Sequence, residues 1–154
     1  MKKIEIIAEA GVNHNGSLNT AFKLCKIAKK SGADYVKFQI FDMKEQISKF
    51  AMTANYQKKQ TKKKNMIEMA QDYSLSLNDH LKIRDYCKKI NIKYLASCFD
   101  IKSTKFYKRY LNQKEIKIGS GEITNYPLLS FISKKFKKII LSTGMANFTE
   151  IKKA

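Results

Sequence analysis

The run YVKFQIF at residues 35–41 carries an ammonium and an amide inside an otherwise apolar stretch. Tyr, Val, Phe and Ile mark a buried β-strand, and strand side chains alternate between faces, so Lys37 and Gln39 share one face. Burying even a neutral polar group without a partner costs roughly 2–7 kcal/mol, and an ammonium more. Either this strand lies at a solvated edge or an anion meets Lys37. A second run, EIKIGSGE at 115–122, repeats the arrangement with Lys117, followed by Ser120 and Glu122.

Other apolar runs finish in the same way. IEIIAE at 4–9 closes on Glu9 ahead of GVNHNG, the run at 92–97 closes on Ser97 within ASCFD, and the run at 139–143 puts Ser142 and Thr143 before Gly144. Lys37, Lys117, the hydroxyls of Ser97, Ser120 and Ser142, and the N–H groups beside Gly119, Gly121 and Gly144 are the parts of an anion cradle. If these faces share one mouth, the ligand is a small, highly charged anion such as a phosphate ester or a carboxylate. Taken singly, each residue has an ordinary structural role. A strand lysine snorkels at an edge, Glu9 pairs with a lysine, and His14 forms a turn between two asparagines. His80 reads as an exposed helix-start residue, Cys98 has no neighbour that would make it a nucleophile, and nothing near His14 has zinc-site spacing. Shared placement at the ends of runs is what singles out Glu9, Lys37, Gln39, Ser97, Lys117, Ser120, Glu122 and Ser142.

The elements that must position them alternate. Strands are expected at 4–9, 35–40, 92–97, 115–119 and 139–143. Ser17 caps a helix to about Ser31, with Ala21, Leu24, Cys25 and Ala28 at helical spacing and Gly32 as its stop. A second helix carries Ile83, Tyr86, Cys87 and Ile90 on one stripe, and a third carries Phe106, Tyr107, Tyr110 and Leu111. Asn125 caps a further helix with Pro127 at its start, and another begins near Asn147. Strand and helix in alternation give βαβ units and a parallel sheet. The pattern alone fits both a barrel with all helices outside and a doubly wound sheet with helices on both faces. The stretch 41–75 interrupts the rhythm. Its lysine-rich part, KKQTKKK at 58–64, reads as a solvated face, and Met66, Ile67, Ala70 and Tyr73 suggest a helix.

Composition narrows the class. At 154 residues the chain is about one domain long. Its 31 basic and 13 acidic residues give a formal charge of +18, yet only Arg84 and Arg109 are arginines. Readers of nucleic acid favour the bidentate guanidinium, so a charge made of lysine argues against a nucleic-acid partner. A non-catalytic basic module binding nucleic acid or another polyanion is the competing reading. Cys25, Cys87 and Cys98 are odd in number and widely spaced, which fits a reducing cytosol. The first residues, MKKIEIIAEAG, are broken by Glu5 and Glu9 and make a poor signal peptide. No run approaches the 18 or so apolar residues of a membrane span. A cytoplasmic protein without a membrane partner is expected.

IAEAGVNHNGS, SGADYVKFQIF, KIGSGEITNYPLL and IILSTGM, in this order and spacing, resemble the N-terminal half of sialic acid synthases, including the legionaminate and pseudaminate enzymes. The resemblance runs from about Ile4 to Ala154. It implies a partial (β/α)8 barrel, about five of the eight βα units, in a family whose barrel takes roughly 200–250 residues and precedes a small antifreeze-like domain. It implies condensation of phosphoenolpyruvate with an N-acylated mannosamine-type sugar to a nine-carbon 2-keto acid, with release of phosphate, Mn²⁺ or Mg²⁺ bound, and a homodimer for the full-length enzyme. Lys37 and Ser142 match contacts to the phosphate, and Lys117, Ser97 and Ser120 match groups near the carboxylate. Glu9 and Gln39 match sugar-facing positions, and Glu122 matches an acidic residue at the reacting centre. Ser97 stands where the family usually has Thr, and Cys98 where it usually has Pro, giving ASCFD for STPFD. The remaining strands, the metal-binding histidines and the C-terminal domain are expected to lie outside these residues, so the chain alone is expected to lack synthase activity.

Overall fold

A computed structural model describes residues 4–42 and 72–154. The lysine run at 58–64 lies outside the described residues, as does most of the helix suggested around Met66, Ile67 and Ala70. The described residues form one parallel sheet in the order β1-β2-β3-β4-β5. The strands are β1 (Ile7–Gly11), β2 (Tyr35–Ile40), β3 (Lys93–Cys98), β4 (Glu115–Ile118) and β5 (Lys138–Leu141). Between and after them come α1 (Leu18–Lys30), α2 (Leu77–Lys89), α3 (Ile101–Arg109), α4 (Tyr126–Ser133) and α5 (Phe148–Lys153). A doubly wound sheet reverses its strand order at a switch point, whereas a barrel adds each new strand to the same side. The unbroken order, with right-handed crossovers, puts every helix on one face. Five successive units of a (β/α)8 barrel result.

Alternation divides the sheet's two faces. Val36, Phe38, Ile40, Tyr94, Ala96, Cys98, Ile116 and Ile118 point to the helices and join Ala21, Cys25, Ile83, Cys87, Tyr107, Leu128 and Ile132 in one core. Phe38 stacks on Tyr94 at 5.9 Å between ring centres, a geometry worth about 0.5–1.5 kcal/mol beyond area burial. The opposite parity, the inner face of the barrel, carries Tyr35, Lys37 and Gln39 on β2, and Ser97 and Lys117 beyond. The N-caps fall at Ser17, Ser76, Asp100, Asn125 and Asn147, each accepting a backbone N–H from the first turn.

Three expectations are corrected. The first strand begins at Ile7 rather than Ile4: Ile4 and Ile6 are 79% and 54% exposed, and Ile6 instead ties its N–H to the Asp34 carboxylate at 2.9 Å. His80 is not an exposed helix-start residue but 1% exposed. The Ser76 cap puts it on the stripe of Ile83 and Cys87, where its Nδ1 lies 2.9 Å from the Tyr94 hydroxyl. Tyr110 is 55% exposed rather than part of the core stripe, because α3 ends at Arg109 and buries Ser103, Thr104 and Tyr107. The second strand keeps its expected bounds, and the ends of the last three move by at most two residues, which leaves Ser142 and Thr143 just beyond β5.

Candidate functional site

Register brings the polar residues of the inner face together. Glu9 lies opposite Lys37, Gln39 opposite Ser97, and Ser97 opposite Lys117. The Lys37 Nζ sits 2.6 Å from Glu9 Oε2 and donates to Ser97 Oγ at 3.2 Å. Its side chain is 8% exposed and that of Glu9 is 52% exposed, so the ammonium is the fixed member of the pair. Leu95, buried and opposite Lys37 in the β2–β3 register, flanks it on the inner face.

Gly11 explains how Glu9 and Gln39 come to share that space. β1 bulges between Glu9 and Gly11, and Gly11 has φ of +54°, a left-handed conformation that glycine adopts freely. A Cβ at Gly11 would lie 3.1 Å from Glu9 Oε1 and 3.8 Å from Gln39 Nε2. The missing side chain leaves room for both.

Lys117, one strand beyond Ser97, donates to Ser142 Oγ and, at 3.3 Å, to the Ile118 carbonyl. Burial holds its pKa below the ordinary lysine value, the nearby charge of Lys37 lowers it further, and Glu9 opposes both. Lys117 therefore senses the Lys37 charge across the intervening β3. Ser120 and Glu122 follow β4 in a single turn of 3₁₀ helix at the same rim. The Glu122 carboxylate accepts from Asn125 Nδ2 at 2.7 Å, a contact that ties it to the cap of α4. The structure thus joins Glu9, Lys37, Gln39 and Ser97 in one group and Lys117 and Ser142 in a second beside it, with Ser120 and Glu122 on the adjoining turn.

A second polar layer lies toward the start of the strands on the same face. Glu5 accepts from Lys138 at 2.8 Å, Lys93 at 3.0 Å and the Tyr35 hydroxyl at 3.0 Å. The Lys138 contact leads in holding the Glu5 pKa down, to about 2. Alternation from Lys37 to Tyr35, Ser97 to Lys93 and Lys117 to Glu115 contains this layer. An apolar Tyr and a lysine at a strand start gave no sign of a partner so distant in sequence. Asp100 was also overlooked, hidden as the last letter of ASCFD.

A cleft of about 760 Å³ opens at that end of the strands, and two of its basic residues hold helix ends. Lys29 donates to the Asn91 carbonyl at 2.7 Å, and Arg84 to the Tyr110 carbonyl at 3.1 Å. Among the described residues no group of three His, Cys, Asp or Glu side chains converges to hold a metal ion. His14 accepts from the Gly16 N–H through Nδ1 and packs beside Phe38 on the helix side, away from Lys37. The described residues of this face do not fit a divalent-cation site. Nor, among the described residues, is any helix long and apolar enough to cross a membrane.

Comparison with known proteins agrees with the partial barrel. The NeuB family pattern matches residues 24–154. The N,N'-diacetyllegionaminic acid synthase of Campylobacter jejuni is 52% identical over 155 aligned residues, covering 100% of this chain and 46% of the relative. The enzyme of the same name from Legionella pneumophila is 41% identical, over 97% of this chain and 42% of the relative. The chain thus spans less than half the length of these relatives. The crystal structure of N-acetylneuraminic acid (sialic acid) synthetase from Leptospira borgpetersenii, in complex with citrate, superposes with a TM-score of 0.84 at 27% identity, over 99% of this chain and 48% of that one. The chain belongs to the NeuB family, the family of the legionaminic, neuraminic and pseudaminic acid synthases.

Proposed function

We propose that this chain supplies the phosphoenolpyruvate-gripping part of a sialic acid synthase. The observation that carries the reading is the pair of partly desolvated amines, Lys37 and Lys117, set around Ser97 on one inner face. Phosphoenolpyruvate carries two anionic groups on three carbons, and two fixed cations flanked by hydroxyls suit it. In this reading Lys37 and Ser142 take the phosphate, while Lys117, Ser97 and Ser120 take the carboxylate. Such preset donors stabilise charge as it shifts during carbon–carbon bond formation without having to reorganise.

Glu9 has a definite part in this. With no anion bound it neutralises the buried Lys37. An arriving phosphate takes over that neutralisation, and the exposed Glu9 carboxylate swings with Gln39 toward the acceptor, an N-acylated mannosamine-type sugar. In this reading Glu122, half-buried and bonded by Asn125, guides a water or proton at the reacting carbon. In this reading the longer enzyme binds Mn²⁺ or Mg²⁺ and is a homodimer. A reducing cytosolic setting suits Cys25, Cys87 and Cys98, all buried free thiols.

The test is lysine acetylation read by mass spectrometry, with and without phosphoenolpyruvate. Selective protection of Lys37 and Lys117 is the expected result. Equal modification in both samples, or protection by duplex DNA that disappears with salt, overturns the reading and favours a polyanion-binding surface.

A further inference from the structure

Resting on that reading of the rim, we propose that Asp100 is a positioning residue that sets the spacing between Lys37 and Ser97. Asp100 is the N-cap of α3 and is 9% exposed. One carboxylate oxygen accepts the Ser103 N–H at 2.6 Å, which is all that a cap requires. The other accepts the Ser103 hydroxyl at 2.7 Å and, across 58 residues of sequence, the Asp42 N–H at 3.0 Å. That last bond has nothing to do with starting a helix.

Its position explains what it does. The β2–β3 ladder ends with Gln39 opposite Ser97 and Ile40 opposite Cys98. Beyond that pair the two chains are free to diverge unless something holds them. Asp100 binds the chain leaving β2 to the chain leaving β3 immediately past the ladder. Phe41 and Phe99 meet edge to face at 6.4 Å, and Lys102 pairs with Asp42 at 2.6 Å, reinforcing the same junction. The site contact that spans these two strands is Lys37 Nζ to Ser97 Oγ. Lys117 lies on β4 and depends on a different junction.

This difference provides a readout that general destabilisation would not reproduce. Asp100→Asn keeps an oxygen for the Ser103 N–H but turns an amide toward Asp42. Loss of one buried hydrogen bond should speed acetylation of Lys37 about three- to tenfold, leave Lys117 unchanged, and weaken phosphoenolpyruvate binding by a similar factor. Ser103→Ala, which removes the hydroxyl at that oxygen but leaves the Asp42 bond, should leave Lys37 at its original rate. If Asp100→Asn does not fold, Asp42→Pro removes the donor while leaving the α3 cap intact, and the same selective rise at Lys37 is expected. Unchanged Lys37 reactivity in the folded variant, or equal rises at Lys37 and Lys117, overturns the proposal. A parent chain that shows no response to phosphoenolpyruvate would defeat the functional reading alone, since the Lys37 rate still tests the junction.

Discussion

Glu9 and Lys37 face each other across the β1–β2 register, and their charged atoms meet at 2.6 Å on the barrel's inner face. The pair is lopsided, with a buried cation and a carboxylate half in water. A buried ion pair is weak evidence for stability, because desolvation offsets the attraction. Under the proposed function the charge serves the anion it would bind.

Lys37→Met follows directly. Methionine fills nearly the same volume without a charge, and the exposed Glu9 rehydrates. Stability should stay within about 1 kcal/mol of the parent or rise, while the response to phosphoenolpyruvate disappears. Thermal unfolding and a binding titration on the same sample check both halves. A large loss of stability would make Lys37 a structural residue.

The same variant bears on Lys117. The Lys37 charge is one of the causes that hold the Lys117 pKa down, second to burial. Removing it should move the Lys117 acetylation midpoint upward, toward the ordinary lysine value, without restoring it fully. An unmoved midpoint would mean that the two amines do not sense each other.

Gly11→Ala tests the bulge. An L-residue at a φ of +54° costs about 1–2 kcal/mol. The new methyl group also presses on Glu9 Oε1 from 3.1 Å. Stability should fall by about that amount, and Lys37, with its partner displaced, should be acetylated at an altered rate. Chemical denaturation and peptide mapping measure the two effects. A variant with parental stability would show that the bulge relaxes easily.

The site was legible because a strand's two-residue period puts Lys37 with Gln39 and exposes the oddity of a charge among aromatics. Caps were legible for a similarly local reason: Ser17, Asn125 and Asn147 are short polar side chains just ahead of apolar runs. The barrel order was not, since alternating elements fit two topologies and only the sheet's hydrogen bonding decides between them. His80 was misread because a histidine beside Asp79 looks solvated, and its hydroxyl partner, Tyr94, comes from another element. The Glu5–Lys138 contact joins chain segments 133 residues apart, which no local pattern signals.

That buried histidine makes stability depend on pH in mild acid. Burial leads in holding the His80 pKa down, to about 4, aided by the charge of His14 and opposed by Asp79. Its Nδ1 faces the Tyr94 hydroxyl, and the ring packs edge-on to Phe38. In the unfolded chain the same imidazole titrates near 6.5. Above that pH both states are neutral and stability is complete. Between about 6.5 and 4 the unfolded chain takes up a proton that the folded one refuses, so stability falls with a slope approaching about 1.4 kcal/mol per pH unit. Below about 4 this contribution levels off, after a total loss on the order of 3 kcal/mol. His14, also lowered by burial, acts in the same direction. Carboxylates titrate in the lower part of this range, so the informative measurement is the difference between the parent and His80→Asn, which retains an acceptor for Tyr94. Urea denaturation at pH 7 and pH 4.5 should show the parent losing about 2–3 kcal/mol more than the variant. Equal losses would mean that His80 takes up its proton as readily in the folded chain as in the unfolded one.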